Sequence, residues 1–358
     1  MKKELLMASA LVSTLGAASV AEAITATMSG SLKLGQEFDS PDTGTDTNNN
    51  ISNSNFSVSL SETTDGGTTI SSSFMLTNES SGAPDDDNAI KLTFSDGSAL
   101  ELLNAGNASG THAVSVPGAA GEQGVAGTTT ANAPTGISFG AGSTALGIEW
   151  HSASDFLMDG LKVSASYSTD DGADKTATAN MDSSWGVGAT YVTDADDTKI
   201  TIGAGVSGSE RAKTGTQLTN DTEGFHIGVS AVTGDLTVAV GYGDGDTVVD
   251  DGAIGNAANS AANTQVDGSV VTAGISYAVS DDITLALGAT SGEAKDSTTS
   301  GTAGTTDDAH DSIGASVTYV VADGISAILG YTTVDIQDEG STSNTGGSAW
   351  YVGATMSF

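Results

Sequence analysis

The chain has 358 residues but few of the side chains that build an ordinary packed core: 5% are aromatic, 47 are Gly and only 4 are Pro. Ten Lys and Arg stand against 45 Asp and Glu, and the formal charge of -35 excludes a basic surface for nucleic acid. Cysteine is absent, which excludes disulfides and thiolate chemistry.

Residues 1–23, MKKELLMASALVSTLGAASVAEA, combine a basic start at Lys2 and Lys3, an apolar stretch and a small-residue end. That is the pattern of a secretory signal peptide cut after Ala23, leaving 24–358 as the exported protein. A buried N-terminal helix or a membrane anchor is the alternative, but Ser, Thr and Gly dilute the apolar stretch. No later run approaches the ~18 apolar residues that a spanning helix needs.

From residue 24 onward one device repeats, a period-two alternation punctuated by Gly, Asp, Asn and Thr, which predicts strand after strand. Six segments are faint: 24–38, 51–64, 68–79, 88–95, 98–104 and 143–151. Ten are sharp, from LKVSASY at 161–167 to WYVGATMSF at 350–358. In VVTAGISYAV, Val271, Ala273, Ile275, Tyr277 and Val279 share one face, with Thr272, Gly274, Ser276 and Ala278 on the other. Disorder would not keep such order.

Short links at 65–67, 96–97, 233–235, 280–282 and 322–324 alternate with long polar ones at 39–50, 80–87, 105–142, 169–183, 208–222, 243–266, 291–310 and 335–347. One end of the sheet is trimmed and the other elaborated, as in a barrel with one side facing the cell exterior. The fold predicted is all-β, a transmembrane antiparallel up-and-down barrel of 16 strands with long external loops and short periplasmic turns. Aromatics give an independent check. Tyr167, Trp185, Phe225, Tyr242, Tyr331 and Trp350 fall at the long-loop end, and Trp150, Tyr191, Tyr277, Tyr319 and Phe358 at the short-turn end, forming two membrane-interface belts.

The face opposite the apolar one carries mainly Gly, Ser and Thr, which cannot fill a barrel this wide, so the interior is expected to hold water. Backbone groups at membrane depth must all be paired, so the first strand must meet the last and Phe358 ends a closing strand.

The signal peptide, sixteen alternating segments, alternating link lengths and terminal Phe358 together resemble a Gram-negative general porin, and most of all the Gly-rich, acidic alphaproteobacterial (Rhodobacter-type) porins. That resemblance implies an outer-membrane homotrimer and passive diffusion of small hydrophilic solutes. It also implies a third external loop folded inward to narrow the pore, and recognition of Phe358 by the outer-membrane assembly machinery.

The longest link, 105–142, follows the fifth strand, where that family's constricting loop sits, and its ionisable side chains are His112 and Glu122. Glu122 is expected either to face the pore or to be a solvated loop residue. Parity places Lys33, Glu37, Lys91, Glu101, Glu149 and Lys162 on the lumen face, because a cation facing lipid at midplane costs ~2–4 kcal/mol. They either tune selectivity or are simply hydrated wall residues. With so little positive charge the pore is expected to prefer cations.

Acidic runs at 85–87, 250–251, Asp170 with Asp171, and Asp307 with Asp308 supply oxygen ligands suited to a structural Ca²⁺, or else merely solvate their loops. No cofactor is required. His112, His151, His226 and His310 are scattered without zinc spacing, and no nucleophile elbow or phosphate loop occurs, so no enzyme is expected. Two alternatives are a surface adhesin of autotransporter-like type, which would carry a passenger repeat, and a substrate-specific channel of the same fold, which would line its pore with an aromatic or basic track.

Overall fold

Alternating small polar and apolar residues commit this chain to strands, because a pleated backbone sends successive side chains to opposite faces. A computed structural model describes residues 24–42, 44–77, 89–103, 108–120, 146–169, 181–211, 222–248, 265–297, 303–337 and 345–358. The first half of the barrel comprises β1 (Thr25–Pro41), β2 (Thr47–Thr63), β3 (Thr69–Thr77), β4 (Ile90–Thr93), β5 (Ala99–Leu102), β6 (Leu146–His151), β7 (Leu161–Thr169) and β8 (Met181–Ala195). The second comprises β9 (Thr198–Arg211), β10 (Thr222–Thr233), β11 (Leu236–Val248), β12 (Gln265–Ser280), β13 (Ile283–Ser297), β14 (Ala303–Ala322), β15 (Ile325–Gln337) and β16 (Thr345–Ser357). A four-residue helix, α1 (Ala108–Thr111), lies in the link after β5. Among the described residues no helix is long and apolar enough to cross a membrane. The expected signal segment, 1–23, lies outside the described residues.

Every strand pairs antiparallel with its chain neighbours and β1 pairs with β16, so the sheet is one closed barrel of 16 strands. At the seam Leu34 faces Ala354 and Phe38 faces Trp350, and Gly30 and Phe358 exchange backbone hydrogen bonds of 3.2 and 3.1 Å. The last residue is therefore stitched into the sheet. Tyr351 points inward, is fully buried and covers Gly35 and Gly353; a side chain at either glycine would run into its ring or hydroxyl.

The outer face is apolar and exposed along most of the barrel, at residues such as Leu34, Val240, Leu287, Leu329 and Val352. On β1 and β2 the apolar row breaks. The pairs Gln36↔Asn50, Leu34↔Ser52 and Leu32↔Ser54 carry Gln36, Asn50, Ser52 and Ser54 on the same face as Leu34 and Phe38.

Several long links are shorter than the sequence reading gives them. β1 runs to Pro41 and β2 starts at Thr47, so the link expected at 39–50 contracts to 42–46, and those expected at 208–222, 243–266, 291–310 and 335–347 contract likewise because β9 runs to Arg211, β11 to Val248 and β13 to Ser297, and β16 starts at Thr345. Ladder pairing uses backbone groups alone, so polar hairpins can rise into water beyond the apolar band. At the other end, 152–160 is a longer connection than its neighbours. Asp155 accepts the Gly160 N–H at 2.6 Å, Leu157 takes a left-handed φ of 64°, and Phe156 meets Trp150 edge-on at 5.7 Å.

Candidate functional site

Strand register decides which side chains reach the interior. Lys33 and Glu37 of β1, Lys91 of β4, Glu101 of β5, Glu149 of β6 and Lys162 of β7 all lie in the inward-facing rows. The partners Lys91↔Glu101 and Glu101↔Glu149 bring three of them side by side, with Lys91 ion-paired to Glu101. His151 sets its Nε2 3.4 Å from Glu101 and 3.8 Å from Glu149. Glu37 and Glu149 are buried in the wall at 6% and 5% exposure. This charged strip occupies β1 and β4–β7, whereas the inward rows of β10–β15 carry mainly Gly, Ser, Thr, His and aliphatic residues, with Asp308 near one end of β14. Such a strip can attract and orient ions.

Within the link after β5, residues 108–117 lie along the inner wall from β7 to β12. The Ala108 N–H donates to Ser166 Oγ at 3.0 Å, and Thr111 donates to Glu149 Oε1 at 3.0 Å. His112 is clasped between two hydroxyls, Nδ1 to Thr190 Oγ1 at 2.6 Å and Nε2 to Ser164 Oγ at 2.8 Å. Ser164 also meets His151 Nδ1 at 2.9 Å, and His226 Nε2 donates to the Ser109 carbonyl at 2.8 Å. Beyond the clasp Val114 and Val116 are buried against Ala239, a small apolar cluster on the inner wall, and Val334 with Ala349 forms another. Burying a valine contributes about 1.5–3 kcal/mol, more than one neutral hydrogen bond does. Burial holds the His112 pKa down to about 4, helped by the neighbouring His151, His226 and Lys162.

Several sequence expectations change here. His112, expected to line the pore, is instead buried between link and wall at 5% exposure. Three of the four histidines scattered along the chain meet in space, because β6, β7 and β10 bring His151 and His226 to the same segment as His112, while His310 stays apart on β14. Part of the hydroxylated inner face is not open to water: Ser164, Ser166, Ser207 and Thr272 are buried. Asp307 and Asp308 belong to β14 rather than to a loop, and Asp170, Asp171 and Glu122 lie outside the described residues. Among the described residues no group of three or more His, Asp or Glu is arranged to hold a metal ion. The sequence reading also missed His226, Ser164, Thr190 and the valines. One signal was available, the concentration of inward glycine on β8–β12 where other strands carry Ser or Thr.

The interface aromatics lie on the outward rows, and two pairs of them meet: Phe225 stacks obliquely with Tyr242 at 5.9 Å and Tyr331 with Trp350 at 4.5 Å. Tyr167, Trp185, Tyr277 and Tyr319 are exposed on the outer face, Trp150 and Tyr191 lie on it half-buried, and Phe358 stands at its lower edge.

A closed sixteen-stranded barrel with an apolar exterior, a largely polar interior and residues 108–117 laid on its inner wall defines a class, the outer-membrane β-barrels of porin type. The chain belongs to the Gram-negative porin family, whose model matches residues 8–339. Among solved structures it is similar to an anion-selective porin from Comamonas acidovorans, at 12% identity and a TM-score of 0.65 over 94% of this chain and 100% of that one. It is also similar to OmpF of Salmonella typhi in complex with daunomycin, at 15% identity and a TM-score of 0.64 over 94% and 98%. A third is OmpT of Vibrio cholerae in a trimer form, at 14% and 0.61 over 94% and 99%. At these identities the likeness is one of fold. No curated protein matches the chain in sequence.

Proposed function

We propose that the protein forms a water-filled channel through the outer membrane for passive diffusion of small hydrophilic solutes and ions, with a preference for cations. The observation that carries this reading is the closed barrel whose polar inner wall is crossed by the seated segment 108–117, an interior too wide for Gly, Ser and Thr to fill. Cation preference rests on charge. Against Lys33, Lys91, Lys162, Lys199 and Arg211 stand Glu37, Asp39, Glu101, Glu149, Asp194 and Asp308 on the inner rows, within a chain of net charge -35, and His112 is held neutral. The function is transport without catalysis, and it needs no cofactor. A structural Ca²⁺ on the external acidic runs is compatible with it.

Export would use the 1–23 segment, and the seam position of Phe358 fits a terminus read by the outer-membrane assembly machinery. The Gly-rich, acidic composition favours the alphaproteobacterial type of porin. A homotrimer accounts for the polar outer row of β1 and β2, since polar side chains facing lipid are costly and a neighbouring subunit would cover them. With no native cysteine, Ser54→Cys gives an unambiguous probe of that contact: oxidation should link subunits in the membrane.

Liposome swelling in sugars of increasing size, together with the reversal potential across a salt gradient, tests the reading. Size-graded permeation and a cation-signed potential are expected. Swelling absent for every sugar, or an anion-signed potential, would remove the diffusion or the selectivity part respectively.

A further inference from the structure

Glycine on the inner wall follows a path. Gly188 of β8 pairs with Gly205 of β9, Gly203 of β9 with Gly228 of β10, Gly228 with Gly241 of β11, and Gly274 of β12 with Ala239 of β11. The seated segment lies on this path. A Cβ built at Gly188 would stand 2.5 Å from the Ala108 carbonyl oxygen, and one at Gly228 would stand 2.8 Å from Val114 Cβ. At Gly203 and Gly274 it would collide with the carbonyl oxygens of His112 and Pro117. These obstacles are mostly backbone, which cannot swing aside as a side-chain tip can. None of these glycines has a left-handed φ, so the strand conformation does not require glycine there. Space is the requirement.

We propose that this glycine track is the positioning device that sets the channel's constriction: it lets residues 108–117 lie backbone against wall, and the depth at which they lie fixes the free cross-section. The proposal rests on the channel reading above. It assigns a role to residues that touch no solute, acting through the segment they seat. His112 and His226 fasten that segment, and the buried Val114 and Val116 hold it dry.

The test uses Gly228→Ala and Gly274→Ala, with Gly66→Ala as the matched control, since a Cβ at Gly66 has only Thr64 Oγ1 nearby at 3.8 Å. All are reconstituted and their single-channel conductances compared, after heat-modifiable mobility has shown a folded barrel. The track variants should conduct less than the parent by about a third or more, because the segment is pushed toward the axis and pore width governs flux. The control should match the parent. Folded track variants with parental or raised conductance overturn the proposal.

A second readout covers a variant that fails to fold. Val116→Cys with Ala239→Cys, in a chain without other cysteines, should form a disulfide on mild oxidation, because the segment already sits there. Failure of this pair to link overturns the seated segment. If the parent itself does not conduct while the pair links, the channel reading falls and the seating of the segment stands.

Discussion

His112 shows how one side chain ties sequence to behaviour. Its two ring nitrogens are taken by Ser164 and Thr190, and the charged or chargeable groups around it are His151, Lys162, His226 and, through Thr111, Glu149. Its pKa in the seated state, about 4, lies below the ordinary 6.5, so the unseated state binds more protons between those values. Seating is therefore at full strength above about pH 6.5 and weakens on the order of 1 kcal/mol per pH unit as pH falls toward 4. Hydrogen exchange of residues 108–117, corrected for intrinsic rates, should show growing openings over that window, and His112→Gln should flatten the dependence. An unchanged pH profile in that variant would mean the proton binds elsewhere. Leu157 gives a second residue-scale expectation. A left-handed φ of 64° costs an L-residue about 1–2 kcal/mol, so Leu157→Gly should raise the thermal midpoint of barrel unfolding slightly rather than lower it. At this scale the sequence was partly opaque: parity alone gave the rows of Lys33, Glu101 and Lys162. The partners of His112 were hidden because Ser164 and Thr190 lie 52 and 78 residues away.

Strands were the most legible level, because each face has its own solvent and the alternation leaves a direct imprint. VVTAGISYAV and WYVGATMSF announce both their type and their orientation. Strand ends were less legible: β2 begins at Thr47 in TNNNISNSN, where nothing apolar marks the start and only backbone pairing holds the ladder. The closing seam between β1 and β16 carries a prediction of its own. Gly35→Val drives a branched side chain into the Tyr351 ring and should destabilise the barrel by about 1–3 kcal/mol, read as a lower temperature of the heat-induced mobility shift. Adding Tyr351→Ala should recover part of that loss, since the two sites share one space. Strictly additive losses would show that Tyr351 does not pack on Gly35.

At the scale of the molecule, two physical demands meet. Lipid rewards an apolar exterior with no unpaired edge, which closes β1 onto β16, and water tolerates an interior of small hydroxylated residues too sparse to fill the space. The seated segment then divides that interior into a side paved with glycine, on β8–β12, and a side with a strip of paired charges, on β1 and β4–β7. This division could not be read from composition, because glycine looks like any other small inward residue until something is laid upon it. The account stands most directly on whether the interior conducts. Single-channel recording of the purified, reconstituted protein over a range of KCl concentrations should give discrete steps that grow in proportion to salt. Steps that saturate at low salt would contradict general diffusion in favour of a specific binding track, and a folded barrel that gives no steps would contradict the channel altogether.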